Sequence, residues 1–330
     1  DYGSFKKKFS DRKEILNNIK LKNRTLFNNL KVNILNELSN SVHTSSKTII
    51  RKASINSKEI KKNDIFFAIK GKKNNGNLFV KEAFNKGACL AVTSEGKKSK
   101  KIIIVKDSLN ILTKASSILR ENLPGKIIAI TGSCGKTSLK ELTGRSLSKI
   151  SQTTYSPKSF NNKFGVPLSL FNLKTNDNFG VLEVGMNKKG EIENLTKIIK
   201  PDVGVITNIS YAHIKNFKNI NQIALAKGEI IQNIKRDGYL VLNKEDNFFN
   251  FHKNMGLKRN LRILSFSLKD KNASISLTSI NKVKSKFKIF VKVHEVKKYF
   301  YINSIFENDL NNLLAAISII SIFINIEKLD

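Results

Sequence analysis

The sequence predicts an α/β protein: a small amino-terminal α/β domain, then a P-loop-type central domain with a mostly parallel sheet and an antiparallel extension. Strand-like apolar runs alternate with helical stretches between residues 126 and 243, which is typical of a parallel sheet covered on both faces. A glycine-rich loop joins the first of these runs to a helix. After Arg262 the runs become short and alternating, which favours an antiparallel meander before a closing helix.

Length and one linker predict the division into domains. A chain of 330 residues with 40% hydrophobic content is long for one core and sufficient for two. The Asn-Leu-Pro-Gly stretch at 122–125 is typical of a linker, because Pro and Gly end the preceding helix. We therefore expect a polar extension over residues 1–31, a first domain over 32–123 and a central domain over 124–330.

The large excess of basic residues is a feature shared with nucleic-acid-binding proteins. The formal net charge is +33, from 59 Lys and Arg against 26 Asp and Glu, and such a charge attracts polyanions. The lysines are spread along the chain, however, and no stretch alternates basic residues with aromatics as a single-strand platform would. A solvated lysine-rich surface is the simpler interpretation, so no nucleic acid is expected as a partner.

Cysteine usage and apolar runs bear on the compartment. Cys89 and Cys134 lie far apart and outside any CxxC spacing, which argues against a disulfide scaffold or a zinc site and favours the reducing cytoplasm. The start at Asp1 has no initiator Met and no signal-peptide pattern, so we expect a fragment. The apolar run 313–326 is interrupted by polar residues and is shorter than the ~18 residues of a membrane span, which predicts a core helix.

Short elements are predicted for the first domain. The segment 9–19 resembles a helix, and the runs "DIFFAIKG", "CLAVTSE" and "KIIIVKD" are typical of strands. Between the first two runs, "NLFVKEAFNKGA" has helical spacing, with Phe79, Val80, Ala83 and Phe84 on one face. A further helix is predicted from Ser108 to Glu121.

The strongest local signal is the segment 131–138, Thr-Gly-Ser-Cys-Gly-Lys-Thr-Ser, between an apolar strand and a helix. Glycines allow backbone amides to surround phosphate oxygens, and the helix amino terminus adds its dipole. In such loops the lysine, here Lys136, reaches the β and γ phosphates, and the hydroxyl, here Thr137, ligates Mg²⁺. Ile130 stands where the common motif has its first glycine, and a purely structural glycine turn is the alternative. The predicted nucleotide-binding residues here are Gly132, Ser133, Cys134, Gly135, Lys136, Thr137 and Ser138.

Three further residues are candidates for the same edge of the sheet. Glu183 ends the strand-like run "VLEVGM", where a carboxylate could balance a metal; a surface acid is the alternative. His213 follows the "GVIT" run and is a candidate ligand, although a single His is more often structural. Lys227 lies in an apolar helix predicted over Ile220–Ile234, and the pattern predicts a surface lysine whose ammonium group reaches solvent.

Five ordered motifs carry a family resemblance. In chain order they are "TGSCGKTSLKEL", "SFNNKFGVPLSL", "LEVGMNKKGEIENL", "KPDVGVITNISYAHIKNF" and "IALAKGEI". Their order and spacing resemble the Mur ligases, which are ATP-dependent ligases of peptidoglycan precursor synthesis. Gly185-Met186-Asn187 after the Glu-Val of the third motif is similar to the MurF group, whereas the MurE group is expected to have Ser-Ser-His there. The resemblance extends over roughly residues 32–325 and includes a uridine-binding amino-terminal domain.

The resemblance implies an activity and roles for single residues. The implied reaction joins D-alanyl-D-alanine to UDP-N-acetylmuramoyl-tripeptide through an acyl phosphate, using ATP and Mg²⁺. Lys136 and Thr137 are implied to act on ATP and Mg²⁺, Glu183 and His213 to bind metal, and Lys227 to match a lysine that is carbamylated in several Mur ligases. Ser57 is implied to contact the UDP-sugar, Asn161 and Asn162 the substrate near its reacting end, and Asn312 the adenine.

The sequence departs from the family pattern at three places. The family's Asp-Ser-Arg is Asn56-Ser57-Lys58, and its Asp-Gly-His is Asn75-Gly76-Asn77, which puts the uridine contacts in doubt. Near the end, Asn308 and Asp309 replace the first pair of His-Asn-x-x-Asn, while Asn312 is retained. Adenine recognition is therefore in doubt as well.

Other functions are compatible with parts of the sequence, and its two ends carry further signals. Other ligases of the same group, of the MurE or folylpolyglutamate type, are the nearest alternatives, and a basic nucleic-acid-binding ATPase is the alternative of another class. The segment "DYGSFKKKFSDRKEIL" resembles the closing stretch of a MurE-type ligase, which suggests a fusion. The chain is expected to end before the third, carboxy-terminal domain of the family and to turn over poorly alone.

Overall fold

The computed structural model describes residues 30–39, 48–71, 74–97, 99–211 and 216–325. These residues form two compact units. The first contains the described residues up to Pro124 together with Leu170–Asn176, and the second contains Gly125–Ser169 and the described residues from Asp177 onward. The short segment Leu170–Asn176 therefore clusters with the first unit, although its place in the sequence lies inside the predicted central domain. The helix predicted over 9–19 lies outside the described residues.

The first unit is built on a four-stranded parallel sheet. Its strands, in spatial order, are β1 (Ala53–Ser54), β2 (Ile65–Phe67), β3 (Leu90–Thr93) and β4 (Ile102–Ile104). Helices α1 (30–38), α2 (Val80–Asn85) and α3 (Ser108–Glu121) accompany them, with 3-10 turns at Ser57–Glu59 and Gly76–Phe79. Helix α3 has the predicted bounds because the Asp107 carboxylate accepts hydrogen bonds from the amides of Leu109 and Asn110, which fixes its start.

The apolar face predicted for α2 is partly wrong. Ala83 is buried, and Val80 and Phe84 pack on the same small cluster as Phe66. Phe79, in contrast, is 43% exposed. It ends a 3-10 turn before α2 begins, so the 3.6-residue period of the α-helix does not extend to it.

Specific contacts tie the segment Leu170–Asn176 to the first unit. The Asn172 side chain accepts a hydrogen bond from the Ala53 amide (2.6 Å) and donates one to the Ala53 carbonyl (3.0 Å). The Phe171 ring lies edge-on to Phe67, with 5.4 Å between ring centroids, and the Lys31 Nζ sits over it at 5.1 Å. Asn172 thus satisfies both backbone groups of one residue of the β1 edge, as a neighbouring strand would.

The second unit contains a nine-stranded sheet. In spatial order its strands are β6 (Thr153–Tyr155), β7 (Phe179–Glu183), β5 (Lys126–Thr131), β8 (Val203–Ile206), β9 (Tyr239–Asn243), β10 (Arg262–Ser267), β11 (Ile275–Val283), β12 (Lys286–Val293) and β13 (Val296–Ile302). Pairing is parallel from β6 to β11 and antiparallel from β11 to β13. The predicted mostly parallel sheet with an antiparallel extension is confirmed. Strands β6 and β10 are not apparent in the sequence pattern, β6 because it is a short polar edge strand.

Helices cover both faces of this sheet. They are α4 (Lys136–Ser148), α5 (Gly165–Phe171), α6 (Glu191–Ile199), α7 (Ile220–Gly228), α8 (Phe249–Lys258) and α9 (Glu307–Ser321). Val203 and Val205 of β8 are buried in one cluster with residues of α4 and α9. Gly204 between them faces the opposite side, where a methyl group would meet the Cδ1 atom of Ile234 at 2.4 Å. The alternation of the strand therefore buries both faces. Ile234 follows a 3-10 turn, Glu229–Asn233, so the helix predicted over Ile220–Ile234 is α-helical only as far as Gly228. None of the helices in the described ranges is long and apolar enough to cross a membrane.

Gly144 tests the packing of α4 against β6. A Cβ atom at this position would lie 2.5 Å from two ring carbons of Tyr155. We expect Gly144→Ala to lower the free energy of unfolding by about 1–3 kcal/mol through overpacking, although Ala favours a helix by about 1 kcal/mol. In a Tyr155→Ala background both ring contacts are removed and only the contact with the Cβ atom at 3.0 Å remains, so the same change should cost much less stability. Urea unfolding of the wild type, the two single variants and the double variant measures the effect of Gly144→Ala in both backgrounds. A loss of equal size in both would contradict the packing argument.

Candidate functional site

The glycine-rich loop is shaped by backbone that only glycine tolerates well. Gly132 has φ 145° and Gly135 has φ 81°, both in the region that favours glycine. A methyl group at Gly132 would lie 1.8 Å from the Thr207 Oγ1 atom, and one at Gly135 would lie 2.7 Å from the Asn312 Oδ1 atom. Gly135 precedes α4, and no side chain among the described residues caps this helix. The first amides of α4 therefore remain available to an anion.

Residues after the neighbouring strand β8 hold the loop in place. The Ser133 amide donates to the Asn208 carbonyl (2.9 Å), and the Cys134 amide donates to the Asn208 Oδ1 atom (2.9 Å). The Thr207 hydroxyl donates to the Cys134 carbonyl (2.6 Å). Sequence reasoning did not single out Thr207 and Asn208, although polar residues directly after a buried strand of a parallel sheet are a usable signal.

Lys136 turns its ammonium group onto the loop itself. Its Nζ atom donates to the carbonyls of Gly132 (2.8 Å) and Ser133 (3.1 Å). Burial lowers the pKa of Lys136, and the nearby Glu183 carboxylate opposes that shift. A cation thus lies within the loop where phosphate oxygens would accept from it.

Thr137 and Glu183 form a close polar pair at the mouth of the loop. The Thr137 hydroxyl donates to the Glu183 Oε2 atom at 2.7 Å, and the Asn161 Nδ2 atom donates to the Glu183 Oε1 atom at 2.7 Å. Glu183 is 1% exposed, so the interpretation of this residue as a surface acid is wrong. The structure brings together three of the predicted site residues, from α4, from the end of β7 and from the loop before α5.

Lys227 is buried, contrary to the surface position that the helical pattern predicts. It is 1% exposed, and its Nζ atom donates to the Gly132 carbonyl at 2.8 Å. Burial, and to a smaller extent the charge of Lys136, lowers the pKa of Lys227 to about 7. The pattern failed because one face of α7 packs on the core while the residue at its end meets the loop, a contact between positions 95 residues apart.

Other predicted residues have different surroundings. Asn162 accepts hydrogen bonds from the amides of Phe164 and Gly165 and so begins α5, while Ser138 is exposed on α4. Asn312 is 9% exposed beside Gly135, and together with Asn308, Asn311, Thr207, Asn208 and Phe266 it lines a small cavity. His213 lies outside the described residues.

In the first unit, the asparagine residues that depart from the family motifs form local hydrogen bonds. The Asn75 Oδ1 atom accepts from the Asn77 amide and starts a 3-10 turn. The Asn77 Oδ1 atom accepts from the Thr93 hydroxyl (2.6 Å) and the Ser94 amide (3.1 Å) at the end of β3. Ser57 is buried and donates to the Glu82 carboxylate at 2.9 Å.

The oxygen atoms at the loop determine which metal ion could bind there. Among the residues that the structure describes, no group of three His, Cys, Asp or Glu side chains is placed to hold a metal ion. The carboxylate of Glu183 and the hydroxyl of Thr137 offer hard oxygen atoms, the ligand type that Mg²⁺ prefers when it also binds phosphates. The arrangement can therefore bind a phosphate chain together with a magnesium ion.

Comparison with known proteins agrees with this geometry. The model of the Mur ligase middle domain matches residues 130–320. A UDP-N-acetylmuramoyl-tripeptide--D-alanyl-D-alanine ligase of Buchnera aphidicola subsp. Baizongia pistaciae is 36% identical over 79% of this chain and 57% of its own length. The chain thus spans little more than half of that relative.

Solved structures give the same result. MurF from Acinetobacter baumannii has a TM-score of 0.76 at 25% identity, over 89% of this chain and 65% of its own. A MurF ligase from Thermotoga maritima in complex with ADP has a TM-score of 0.69 at 26% identity, over 82% of this chain and 63% of its own.

The lowered pKa of Lys227 predicts how stability depends on pH. The unfolded chain holds this proton up to an ordinary lysine value of 10.5, whereas the folded chain releases it near 7. The folded state binds fewer protons between these values, so Lys227 makes the protein more stable as pH rises. Relative to Lys227→Met, the wild type should gain about 2 kcal/mol between pH 7 and 9. Urea unfolding at both pH values checks this, since the other titrations, apart from that of the neighbouring Lys136, are common to both proteins; parallel profiles would argue against a lowered pKa.

Proposed function

We propose that this chain, which belongs to the Mur ligase family, is the UDP-sugar- and ATP-binding part of a ligase of peptidoglycan precursor synthesis. The proposed reaction joins D-alanyl-D-alanine to UDP-N-acetylmuramoyl-tripeptide in the cytoplasm. The observation that carries the proposal is the Thr137–Glu183 pair at the mouth of a glycine loop that also contains Lys136. The names of the similar ligases support the choice of substrates.

In the proposed mechanism the protein positions reactants and does no covalent chemistry. The terminal carboxylate of the tripeptide attacks the γ-phosphorus of ATP, and the bond to the bridging oxygen breaks to release ADP. The amine of D-alanyl-D-alanine then attacks the acyl phosphate, loses a proton and expels phosphate as the amide forms. Lys136 and the first amides of α4 stabilise the charge that moves onto the phosphate oxygens.

The residues present fit the magnesium ion that this chemistry implies. The Glu183 carboxylate is buried, and its two oxygens lie 2.7 Å from the Thr137 hydroxyl and from the Asn161 amide nitrogen. Thr137 and Glu183 would hold the ion, together with His213. When bound, magnesium supplies positive charge that neutralises the phosphate chain. Asn161 orients the carboxylate through its hydrogen bond, a role it would keep while contacting substrate.

Lys227 is suited to carbamylation. A neutral amine is needed to attack carbon dioxide, and with a pKa of about 7 a large fraction of Lys227 is neutral at physiological pH. The ammonium group first loses one proton; the neutral amine then forms a nitrogen–carbon bond with carbon dioxide and releases a second proton, so that a buried cation becomes an anion. Such an anion would relieve the repulsion between Lys227 and Lys136 and could hold a second magnesium ion beside the phosphates.

The remaining predicted residues fall into two further subsites. Phe266 and the asparagine side chains beside Gly135 would contact the adenine, and they would have to separate to admit it, because the cavity between them has room for about one water molecule. In the proposed UDP-sugar-binding unit, the hydroxyl of Ser57 can still accept a hydrogen bond while it donates to Glu82. Asn162 would contact substrate through its amide nitrogen, because its oxygen is engaged at the start of α5.

Removal of the loop lysine tests the phosphate site. Lys136→Ala should weaken ATP binding by about 10- to 100-fold, since a charge-assisted hydrogen bond is worth about 1.5–3 kcal/mol. Isothermal titration calorimetry with ATP and with adenosine measures this, and adenosine affinity should not change. Lys149→Ala, at the exposed carboxyl end of the same helix, removes the same charge and should leave ATP binding near the wild-type value. An equal effect of both substitutions would point to general charge attraction instead.

The choice of amine tests the reaction itself. With ATP, Mg²⁺ and UDP-N-acetylmuramoyl-tripeptide supplied, ADP release by this chain should be slow, should depend on D-alanyl-D-alanine and should not respond to a diamino acid or to glutamate. Comparison of the three amines in one coupled assay separates the proposed ligase from its MurE-type and folylpolyglutamate-type relatives. Equal release with glutamate, or release that depends on a diamino acid, would overturn the proposed substrate.

A further inference from the structure

A fully buried lysine lies one helical turn beyond the phosphate loop. Lys140 of α4 is 0% exposed, four residues after Lys136 and three after Thr137. Residues at these spacings lie on the same side of a helix. None of the roles proposed above uses Lys140, yet a lysine is among the residues least often buried completely, and its burial requires a compensating set of partners.

Three acceptors satisfy the Lys140 ammonium group. Its Nζ atom lies 2.7 Å from the carbonyl oxygen of Ser156, 2.6 Å from that of Lys158 and 2.9 Å from the Oε1 atom of Glu141. An ammonium group has three donors, so each has one partner. Two of the three partners are main-chain atoms of one loop, residues 156–161, which we call the clasp loop.

The clasp loop in turn holds both ends of Glu183. At the main chain, the Glu183 amide donates to the Ser156 hydroxyl at 3.3 Å. At the carboxylate, the Asn161 Nδ2 atom donates to Oε1 at 2.7 Å. The amide of Gly185, two residues further, donates to the Asn161 carbonyl at 2.8 Å. The clasp loop therefore fixes the position of the Glu183 main chain and the orientation of its carboxylate.

Lys140 thereby links the two members of the proposed metal site. Thr137 is on α4 and Glu183 follows the end of β7, and the distance between their oxygens is 2.7 Å. We infer that Lys140 is a positioning residue, which sets Glu183 against Thr137 by holding the clasp loop to the helix that contains Thr137. This inference rests on the proposed metal–nucleotide function of the site, but it concerns a residue that would touch neither the metal nor the nucleotide.

Lys140→Met is the test variant, because methionine keeps the length of the stem and removes all three donors. Lys126→Met is the matched control. Lys126 begins β5, at the opposite end of the strand from the loop, and pairs with Asp202 at 3.1 Å. Both variants lose one positive charge and one lysine–carboxylate contact in the same unit, so the change in net charge is the same in both.

The first measurement is amide hydrogen exchange across residues 156–161. In Lys140→Met two loop carbonyls lose a charged donor, so the amides of Phe160 and Asn161, which bond within the loop, should exchange about tenfold faster or more. In Lys126→Met their exchange should match the wild type. Unchanged exchange in Lys140→Met would overturn the inference at once, whether or not nucleotide binds.

The second measurement is the gain in affinity for AMP-PNP when Mg²⁺ replaces EDTA. We expect Lys140→Met to reduce this gain about tenfold and to leave the affinity in EDTA close to that of Lys126→Met, because only the metal pair is displaced. A purely structural role would lower the melting temperature and leave the gain intact, and that result would overturn the positioning role. If the wild type shows no gain with Mg²⁺, the proposed metal site itself fails and the positioning role fails with it.

Discussion

The site depends on the parallel pairing of β5 with β7 on one side and with β8 on the other. Parallel strands end at the same edge of a sheet, so the loop after β5, Glu183 at the end of β7 and Thr207 after β8 must meet. The strand register determines how these residues are aligned, because Ile130 is the partner of Glu183 and Thr131 is the partner of Ile206. Gly132 is then the first residue that can turn, and the Thr207 hydroxyl leaves no room for a side chain there. The glycine of the loop is thus a consequence of strand pairing as much as of phosphate binding.

Local features of the sequence were sufficient for much of this arrangement. The bounds of α3 follow from its Asp107 cap, and β5, the loop and the start of α4 follow from an apolar run, two glycines and a lysine in order. The mostly parallel sheet and its antiparallel extension followed from the spacing of apolar runs. These features can be predicted because each is decided by residues within one or two turns of the chain.

The features that sequence reasoning missed depend on distant contacts. The burial of Lys227 results from the Gly132 carbonyl 95 residues away, and the loop is held by Asn208, 74 residues from Cys134. Segment Leu170–Asn176 joins the first unit through Asn172 and Ala53, which are 119 residues apart. No helical or strand period contains such information. Lys140 is similar, since only the fold shows that its partners are carbonyls of a loop.

The two lysines at Gly132 show how the fold tunes charge at the site. Both Nζ atoms donate to the same carbonyl oxygen, each at 2.8 Å, so two lysines share one acceptor. Each lysine is partly or wholly removed from water, and the pKa of each is lowered, but only Lys136 has an opposing carboxylate nearby in Glu183. The Glu183 carboxylate opposes the lowering of the Lys136 pKa, whereas Lys227 gives up its proton near pH 7. One carbonyl thus accepts from two lysines in different surroundings: Lys227 is buried and lies near the charge of Lys136, whereas Lys136 is less completely buried and has Glu183 nearby.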